Sequence, residues 1–216
     1  MDHWPLFGLR VVTPRLSLVY PTDAQLDQLA AVAAAGIHDP SWMPFASPWS
    51  RKQPPQLQRD VLRYHWLQRA RWRPEEWELP LVVLVEGTVV GVQGLSAEHF
   101  AVKRTAETGS WLGRKYQGRG IGKEMRAAII HLAFAGLGAR ALYTSSFGDN
   151  EASLGVTKAL GYAPNGSRWV DREGEAVRQW HFQLARDVWE QRRRDDIQIV
   201  GLDSCRELFG VAPPPT

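Results

Sequence analysis

The sequence predicts a mixed α/β protein, and three observations support this fold class. A strand-like run that ends at Trp111-Leu112 is followed by the glycine-rich segment 117–122 and then by a segment with helical apolar spacing. Two pairs of strand-like runs, one within residues 81–95 and one within residues 160–185, are joined by short turns and predict hairpins. Near the N-terminus, a strand pattern precedes a capped helix. Strand and helix patterns therefore occur along most of the chain.

The first elements are a strand and a helix. Residues 9–19 have a strand-like alternation of apolar and polar positions, and Pro14 interrupts it, which indicates an edge strand or a bulge. Pro21-Thr22-Asp23 caps a helix that continues to about residue 35, and Gly36 ends it.

A long aromatic loop and a second helix follow. The loop, residues 37–55, is rich in proline and large apolar side chains, so it is a lid, part of a substrate pocket, or a segment that simply packs on the domain. Residues 56–72 have helical spacing with Leu57, Val61 and Tyr64 on one stripe. Arginines on and after this helix form a solvated face or bind a carboxylate of a ligand. They are Arg59, Arg63, Arg69, Arg71 and Arg73.

The central part of the chain is rich in strands. The hairpin 81–95 contains Gly91, which indicates a bulge, and a closing hairpin pairs residues 160–169 with 176–185. Residues 105–112 and 141–146 are two further strands.

The last thirty residues differ from the rest in character. A charged segment is followed by the strand-like run 197–200, a cap-like Asp203-Ser204 and a frayed end at Pro213 to Pro215. We expect a domain over residues 1–186 and an extension, 187–216, that packs on this domain or on a partner subunit.

Composition narrows the function classes. The 216 residues are 44% hydrophobic and 23% charged, with a net charge of +3, which suits an ordinary globular chain and argues against a nucleic-acid-binding protein. Cys205, the single cysteine, cannot form an intrachain disulfide and fits a reducing cytoplasm. No apolar run reaches the ~18 residues of a membrane helix, and the N-terminus lacks the basic start of a signal peptide.

The glycine-rich segment predicts an anion site. The first turn of a helix has unpaired N–H groups and a partial positive charge, and Gly118, Gly120 and Gly122 let a phosphate approach them closely. Arg119 and Lys123 add cationic contacts, whereas a tight turn without a ligand is the alternative. A Walker loop is excluded because its first glycine falls on Gln117, and the G-x-G-x-x-G dinucleotide fingerprint does not fit either.

The segment Gln117-Gly118-Arg119-Gly120-Ile121-Gly122 resembles the Q/R-x-x-G-x-G/A acyl-CoA signature of the GNAT superfamily of CoA-dependent N-acyltransferases. Downstream, Asn150-Glu151-Ala152-Ser153 and Leu160-Gly161-Tyr162 are similar to the N-x-x-S and L-G-F/Y segments of its ribosomal-protein alanine N-acetyltransferase branch. Thr13-Pro14-Arg15-Leu16 resembles the T-x-R-L strand that opens the fold in that branch.

The resemblance covers at least residues 81–184 and extends more loosely to the chain ends. Residues 3–7 and 205–210 look like those of an actinobacterial subgroup that includes GNAT succinyltransferases. The resemblance implies a GNAT fold with a central mixed, mostly antiparallel sheet flanked by helices. In it, strands 105–112 and 141–146 are parallel and splay apart, and acyl-CoA lies in the gap. The resemblance also implies that the aromatic loop 37–55 lies by the acceptor site, so a substrate pocket is favoured there.

The resemblance also implies a set of residues that bind the acyl-CoA cofactor. They are Trp111, Leu112, Gln117, Gly118, Arg119, Gly120, Ile121, Gly122, Lys123, Asn150 and Ser153. The donor it implies is acetyl-CoA, with succinyl-CoA as a competitor, and no metal is expected.

A general base must deprotonate the amine before it attacks the thioester. Glu107 is the first choice, because it precedes Trp111 by four residues on one strand and the two side chains share a face. A surface carboxylate paired with an arginine is the alternative interpretation. Other candidate bases are His38, Asp39, His65 and Ser110.

The acid is less well defined, because the tyrosine usual in the family falls at Thr157. Ser153 is the candidate acid, and Asn150 either contacts the cofactor or caps a helix. Asn150, Ser153 and Thr157 share one helix face, opposite a core-directed face. That core-directed face comprises Ala152, Val156, Ala159 and Leu160.

These observations predict a cytoplasmic N-acyltransferase, favoured as a homodimer, that transfers an acyl group from acyl-CoA directly to a primary amine of a small molecule or a protein. Cys205 lies in the tail without a nearby histidine and is not expected to carry the acyl group. The alternative is a non-catalytic CoA-binding regulatory module. Binding to nucleic acid or membrane is not expected.

Overall fold

The computed structural model describes residues 3–212. Its strands are β1 (Arg10–Val12), β2 (Leu16–Val19), β3 (Glu76–Val85), β4 (Thr88–Glu98), β5 (Thr105–Leu112), β6 (Ala141–Phe147), β7 (Ala163–Arg172), β8 (Glu175–Ala185) and β9 (Gln198–Val200). Its helices are α1 (Asp23–Ala34), α2 (Gln56–Arg71), α3 (Phe100–Lys103), α4 (Ile121–His131), α5 (Glu151–Ala159) and α6 (Arg186–Glu190). A π-helical turn, Leu132–Gly136, prolongs α4.

The strands form one mixed sheet in the order β7-β8-β6-β5-β4-β3-β2-β1-β9. All neighbouring strands in this order are antiparallel except β5 and β6, which are parallel. The predicted fold class, a mostly antiparallel mixed sheet with one parallel pair, is confirmed.

Helices cover both faces of the sheet and create two cores. Leu26 and Leu29 of α1 pack with Val61 of α2 against one face. Met125 and Ile129 of α4 belong to the larger core on the other face. Each helix buries one apolar stripe, and the sheet buries alternate residues on both sides, as the spacing in the sequence indicates.

The N-terminal elements match their predicted positions with one correction. Thr22 caps α1 through a reciprocal capping box with Gln25, and Gly36 follows the helix at a φ of +101°. Pro14 was expected at an edge or bulge within one strand. It lies instead in the turn between β1 and β2, which pair antiparallel.

Two predicted buried faces are wrong. On α2, His65 is buried with Leu57 and Val61, whereas Tyr64 is 41% exposed. On α5, the buried residue is Thr157, and the predicted core residues Ala152, Val156, Ala159 and Leu160 are exposed or half-buried. In both helices a polar residue occupies the buried stripe, which hydrophobic periodicity alone does not detect.

Both predicted hairpins are present. The first, β3 and β4, is longer than expected, whereas the second, β7 and β8, begins at Ala163 rather than at residue 160 and has a shorter turn. The register of β3 and β4 shifts opposite Gly91, in agreement with the predicted bulge. A Cβ at Gly91 would lie 2.3 Å from the carbonyl oxygen of Trp111. The close approach of β5 at this point therefore requires a residue without a side chain.

The C-terminal residues pack against the N-terminal half of the sheet. β9 pairs with β1, and the ring of Phe209 packs edge-on against Trp72 and Trp77. The expected frayed end at Pro213 to Pro215 lies outside the described residues. Among residues 3–212, no helix is long and apolar enough to cross a membrane.

Candidate functional site

The parallel strands β5 and β6 separate part of the way along their length. Their registered pairs run from Thr105–Ala141 to Glu107–Tyr143, although the strands continue to Leu112 and Phe147. Beyond the last pair, the Thr144 hydroxyl donates to the Thr108 carbonyl oxygen at 3.0 Å. The gap that opens there is part of a cleft of about 940 Å³.

The glycine-rich segment lies at the end of this gap, between β5 and α4. Gly118 and Gly120 adopt φ values of +73° and +77°, which favour glycine, and Gly120 is the N-cap of α4. The Gln117 side-chain amide donates to the carbonyl oxygens of Ile37 and Leu112 at 2.7 and 2.9 Å. The segment therefore places the positive end of a helix beside the cleft, in a position suited to an anion, while Gln117 shapes the turn.

An ion pair ties this loop to the first hairpin of the sheet. The buried Glu124 carboxylate accepts hydrogen bonds from the Thr13 hydroxyl and the Arg15 Nε, both at 2.6 Å. Arg15 also donates to the Arg119 carbonyl oxygen at 3.2 Å. Thr13 and Arg15, which belong to the T-x-R-L segment, thus support the glycine loop from outside the cleft.

A buried guanidinium lies under the point where the strands separate. Arg126 of α4, 5% exposed, donates to the Gln93 side-chain oxygen and to the hydroxyls of Thr108, Ser110 and Thr144 at 2.9–3.3 Å. Burial lowers the pKa of Arg126, yet a guanidinium stays protonated in proteins. Arg126 therefore joins three strands and brings a positive charge to the wall of the cleft.

Sequence reasoning did not identify Arg126 as a site residue. The available signal was a single arginine next to the apolar stripe of segment 121–131, which forms α4. Buried arginines are rare unless they are paired, so the burial of Arg126 marks it as a candidate site residue.

Aromatic side chains form the opposite wall of the cleft. Trp111 of β5 lies 5.7 Å from Trp49 between ring centroids, and Trp49 lies 5.5 Å from Phe45. The structure thus places part of the aromatic loop in the cleft, where a substrate pocket was expected, together with Trp42 and His38.

The candidate bases lie in different environments. Glu107 is exposed and borders the cleft on the same face of β5 as Trp111. His38 is held by the Ser50 hydroxyl and the Asp39 carbonyl oxygen, each at 2.7 Å. Burial lowers the pKa of His65 to about 4, so its imidazole is neutral at physiological pH. Ser110 accepts its hydrogen bond from Arg126.

Asn150, Ser153 and Thr157 are separated by the structure, although they share a helix. Asn150 caps α5, because its side-chain oxygen accepts from the Ser153 backbone N–H at 3.0 Å. Asn150 and Ser153 border the cleft. The Thr157 hydroxyl is buried and has no hydrogen-bond partner among the described residues.

The remaining predicted contacts divide into two groups. Trp111, Leu112, Gln117 and Gly122 border the cleft. Gly118, Arg119, Gly120, Ile121 and Lys123 lie beside it in the loop and the first turn of α4. The arginines on and after α2, which were expected to form a solvated face or to bind a carboxylate, do not border the cleft. Two of them lie near carboxylates of the protein itself: Arg69 pairs with Asp23 at 2.6 Å, and Arg63 lies 3.8 Å from Asp60.

Comparison with known proteins gives a consistent result. A family model described as acetyltransferase (GNAT) domain matches residues 15–163. RimJ of Mycobacterium smegmatis, solved with a CoA disulfide, is similar with a TM-score of 0.67 and 16% identity over 92% of this chain and 91% of that chain. RimL, a ribosomal L7/L12 alpha-N-protein acetyltransferase solved with coenzyme A, is similar with a TM-score of 0.65 and 17% identity over 82% of this chain and 97% of that chain.

A third similar structure is the microcin C7 self-immunity acetyltransferase MccE, solved with acetyl-CoA and AMP. It has a TM-score of 0.64 and 17% identity over 80% of this chain and 93% of that chain. At these identities the three likenesses establish the fold.

Proposed function

Since the chain belongs to the GNAT acetyltransferase family, we propose that it transfers an acyl group from acyl-CoA to a primary amine by direct attack in a ternary complex. The observation that carries the proposal is the gap between β5 and β6, which opens beyond Glu107 and Tyr143 and adjoins the glycine loop at the start of α4. An extended pantetheine arm fits between two such strands and pairs with their backbone groups, as in strand addition. The pyrophosphate then lies at the helix N-terminus.

Glu107 is the proposed general base. It borders the cleft on the face that carries Trp111, on the side of the sheet opposite Arg126. A carboxylate there accepts the proton of the attacking amine, directly or through one water molecule. Backbone N–H groups near the end of β5 are suited to stabilise the tetrahedral oxyanion.

Ser153 is the proposed acid for the departing CoA thiolate. It is half-buried in the first turn of α5, where Asn150 orients the backbone that carries it. Thr157 occupies the position of the family's usual tyrosine, but its hydroxyl is buried within α5 rather than in the cleft wall.

The donor is proposed to be acetyl-CoA, and Arg126 makes succinyl-CoA a second candidate. Its hydrogen-bond acceptors are neutral oxygens, so its charge is not balanced by a neighbouring carboxylate among the described residues. A succinyl group would supply a carboxylate at this charge. The arginines of α2 are less suitable, since none of them borders the cleft.

The proposal also covers the domain boundaries, the cellular location and the oligomeric state. We assign the catalytic domain to residues 1–186 and the extension to 187–216, and the pairing of β9 with β1 supports packing of the extension on its own domain. We also propose a cytoplasmic homodimer.

The test measures CoA release and the acylated amine for acetyl-CoA and succinyl-CoA with a panel of amines. Glu107→Gln is expected to lower kcat by about 10²–10⁴-fold while calorimetric acyl-CoA binding is retained. Glu98→Gln, at the exposed end of β4, is the matched control and keeps its activity. Wild-type protein that binds acyl-CoA but releases no CoA with any amine is the non-catalytic binding module instead.

A further inference from the structure

A row of polar side chains crosses the sheet on the face covered by α2. Glu78 of β3 pairs in register with Ser96 of β4, and Ser96 pairs with Glu107 of β5. Residues opposite one another on neighbouring strands share a face, so both glutamates face the same side. Because strands lie about 4.8 Å apart, the two Cα atoms are about 10 Å apart.

The next row on this face has no side chains at its centre. Gly94 of β4 pairs with Gly109 of β5, two residues along from Ser96 and Glu107. The two glycines leave a depression in the sheet beside the carboxylates, and Trp111 closes its far side. The depression can hold a narrow apolar chain.

Four carboxylates border the cleft, and two of them already have cationic partners. Asp39 pairs with Arg114 at 3.2 Å, and Asp60 pairs with Lys52. Among residues 3–212, neither Glu78 nor Glu107 pairs with a lysine, arginine or histidine. Both carboxylates are thus available to a cation in the cleft.

Glu78 is held in place by its surroundings. It accepts a hydrogen bond from the Tyr64 hydroxyl of α2. Burial raises the pKa of Glu78, although the bond from Tyr64 opposes the rise. A half-buried carboxylate of this kind gains most from a nearby cation, because burial disfavours its charge until a partner is present.

A buried imidazole also lies at the edge of this region. His65 borders the cleft and is 3% exposed, and its Nδ1 has no hydrogen-bond partner among the described residues. Burial lowers the pKa of His65 to about 4, so at neutral pH this side chain carries no charge that would repel a cation from the cleft.

We infer that the acceptor carries a second cationic nitrogen: it is a linear diamine whose reacting amine lies at Glu107 and whose other ammonium group binds Glu78. The methylene chain between the two nitrogens lies in the Gly94–Gly109 depression, against Trp111. This inference rests on the proposed acyl transfer and names the substrate class for it. The apolar chain and the two charged ends match a glycine floor, an aromatic wall and two separated carboxylates.

The test compares diaminobutane, diaminohexane and diaminooctane with the monoamines of equal chain length, using CoA release by the full-length protein. The best diamine is expected to exceed its monoamine by about tenfold in kcat/KM, the effect of one half-buried ion pair. Glu78→Gln is expected to lower kcat/KM for the diamine about tenfold more than for the monoamine, so that the advantage is lost. Glu76→Gln, an exposed carboxylate two residues away on the same strand, retains the advantage.

Two results would overturn the inference while leaving acyl transfer intact: equal rates for diamines and monoamines, or a Glu78→Gln variant that lowers both rates alike. Absence of CoA release with every amine instead refutes the proposed function. The inference is then decided by calorimetric titration of diaminohexane into protein saturated with CoA. Binding that weakens about tenfold in Glu78→Gln supports a diamine site, and no binding to the wild type overturns it.

Discussion

Replacing Gly120 by alanine tests the loop conformation on which the proposed acyl-CoA site depends. Gly120 has a φ of +77°, where an added Cβ costs about 1–2 kcal/mol. The new methyl group would also lie 3.3 Å from the Arg15 Nη2 that pairs with Glu124. For a chain of this size, 1 kcal/mol corresponds to about 2–4 °C in Tm. We therefore expect Gly120→Ala to lower Tm by roughly 2–8 °C.

Gly122→Ala is the matched control, because it adds the same methyl group two residues later. Gly122 is already inside α4, and its Cβ would make ordinary contacts at 3.8 Å with Leu112 and Val156. Alanine is favoured over glycine in a helix by up to about 1 kcal/mol, so Tm should rise by roughly 1–4 °C. Opposite signs of the Tm change for the two variants are expected from the backbone conformation at these two glycines.

The assay is thermal unfolding without ligand, followed by calorimetric titration with CoA. We expect Gly120→Ala to weaken CoA binding by about tenfold, since it displaces the N–H groups that face the pyrophosphate. Gly122→Ala should stay within about threefold of the wild type. Equal Tm values for Gly120→Ala and the wild type, or a Gly122→Ala variant less stable than Gly120→Ala, would refute the reasoning.

Two further predictions concern buried groups. Burial opposes ionisation of Glu124, but hydrogen bonds from Thr13 and Arg15 outweigh it and hold the pKa of this carboxyl below its ordinary value of about 4.5. Its contribution to stability is therefore complete above that pH and is lost as the pH falls through the lowered pKa. Denaturant titration should show that Glu124→Gln lowers the free energy of unfolding by about 1.5 kcal/mol at neutral pH and by less in acid. The control is Glu190→Gln, which removes the exposed ion pair with Arg186 and should stay within about 0.5 kcal/mol of the wild type. Burial raises the pKa of the Cys205 thiol to about 11, so the reactive thiolate is scarce at neutral pH. Mass spectrometry should therefore find Cys205 unmodified by iodoacetamide in the native protein and modified in urea. Rapid modification of the native protein would contradict its burial.

Most of the fold could be predicted because it rests on local patterns. The predicted strand 105–112 coincides with β5, and the predicted capping segment Pro21-Thr22-Asp23 contains Thr22, the N-cap of α1. The errors occurred where a polar residue fills a buried stripe, as at His65 and Thr157, since periodicity assigns the inward face to apolar residues. Their burial depends on neighbours that are distant in sequence.

The candidate site was predicted in part, and the division follows the range of the interactions. The glycine loop is local, so residues 117–122 could be read as an anion site from their own conformational preferences. The surroundings of Arg126 could not be predicted in this way, because its four hydrogen-bond partners come from three different strands, β4, β5 and β6.

The sequence by itself determined the order of the main elements, the helix N-terminus within the glycine-rich segment 117–122, and the family. Only the tertiary structure decided that Glu78 and Glu107 share one face of the sheet and that β5 and β6 separate beyond Glu107. The physical reason is that strand order and register are set by packing between distant segments, and a shift of one residue moves a side chain to the opposite face.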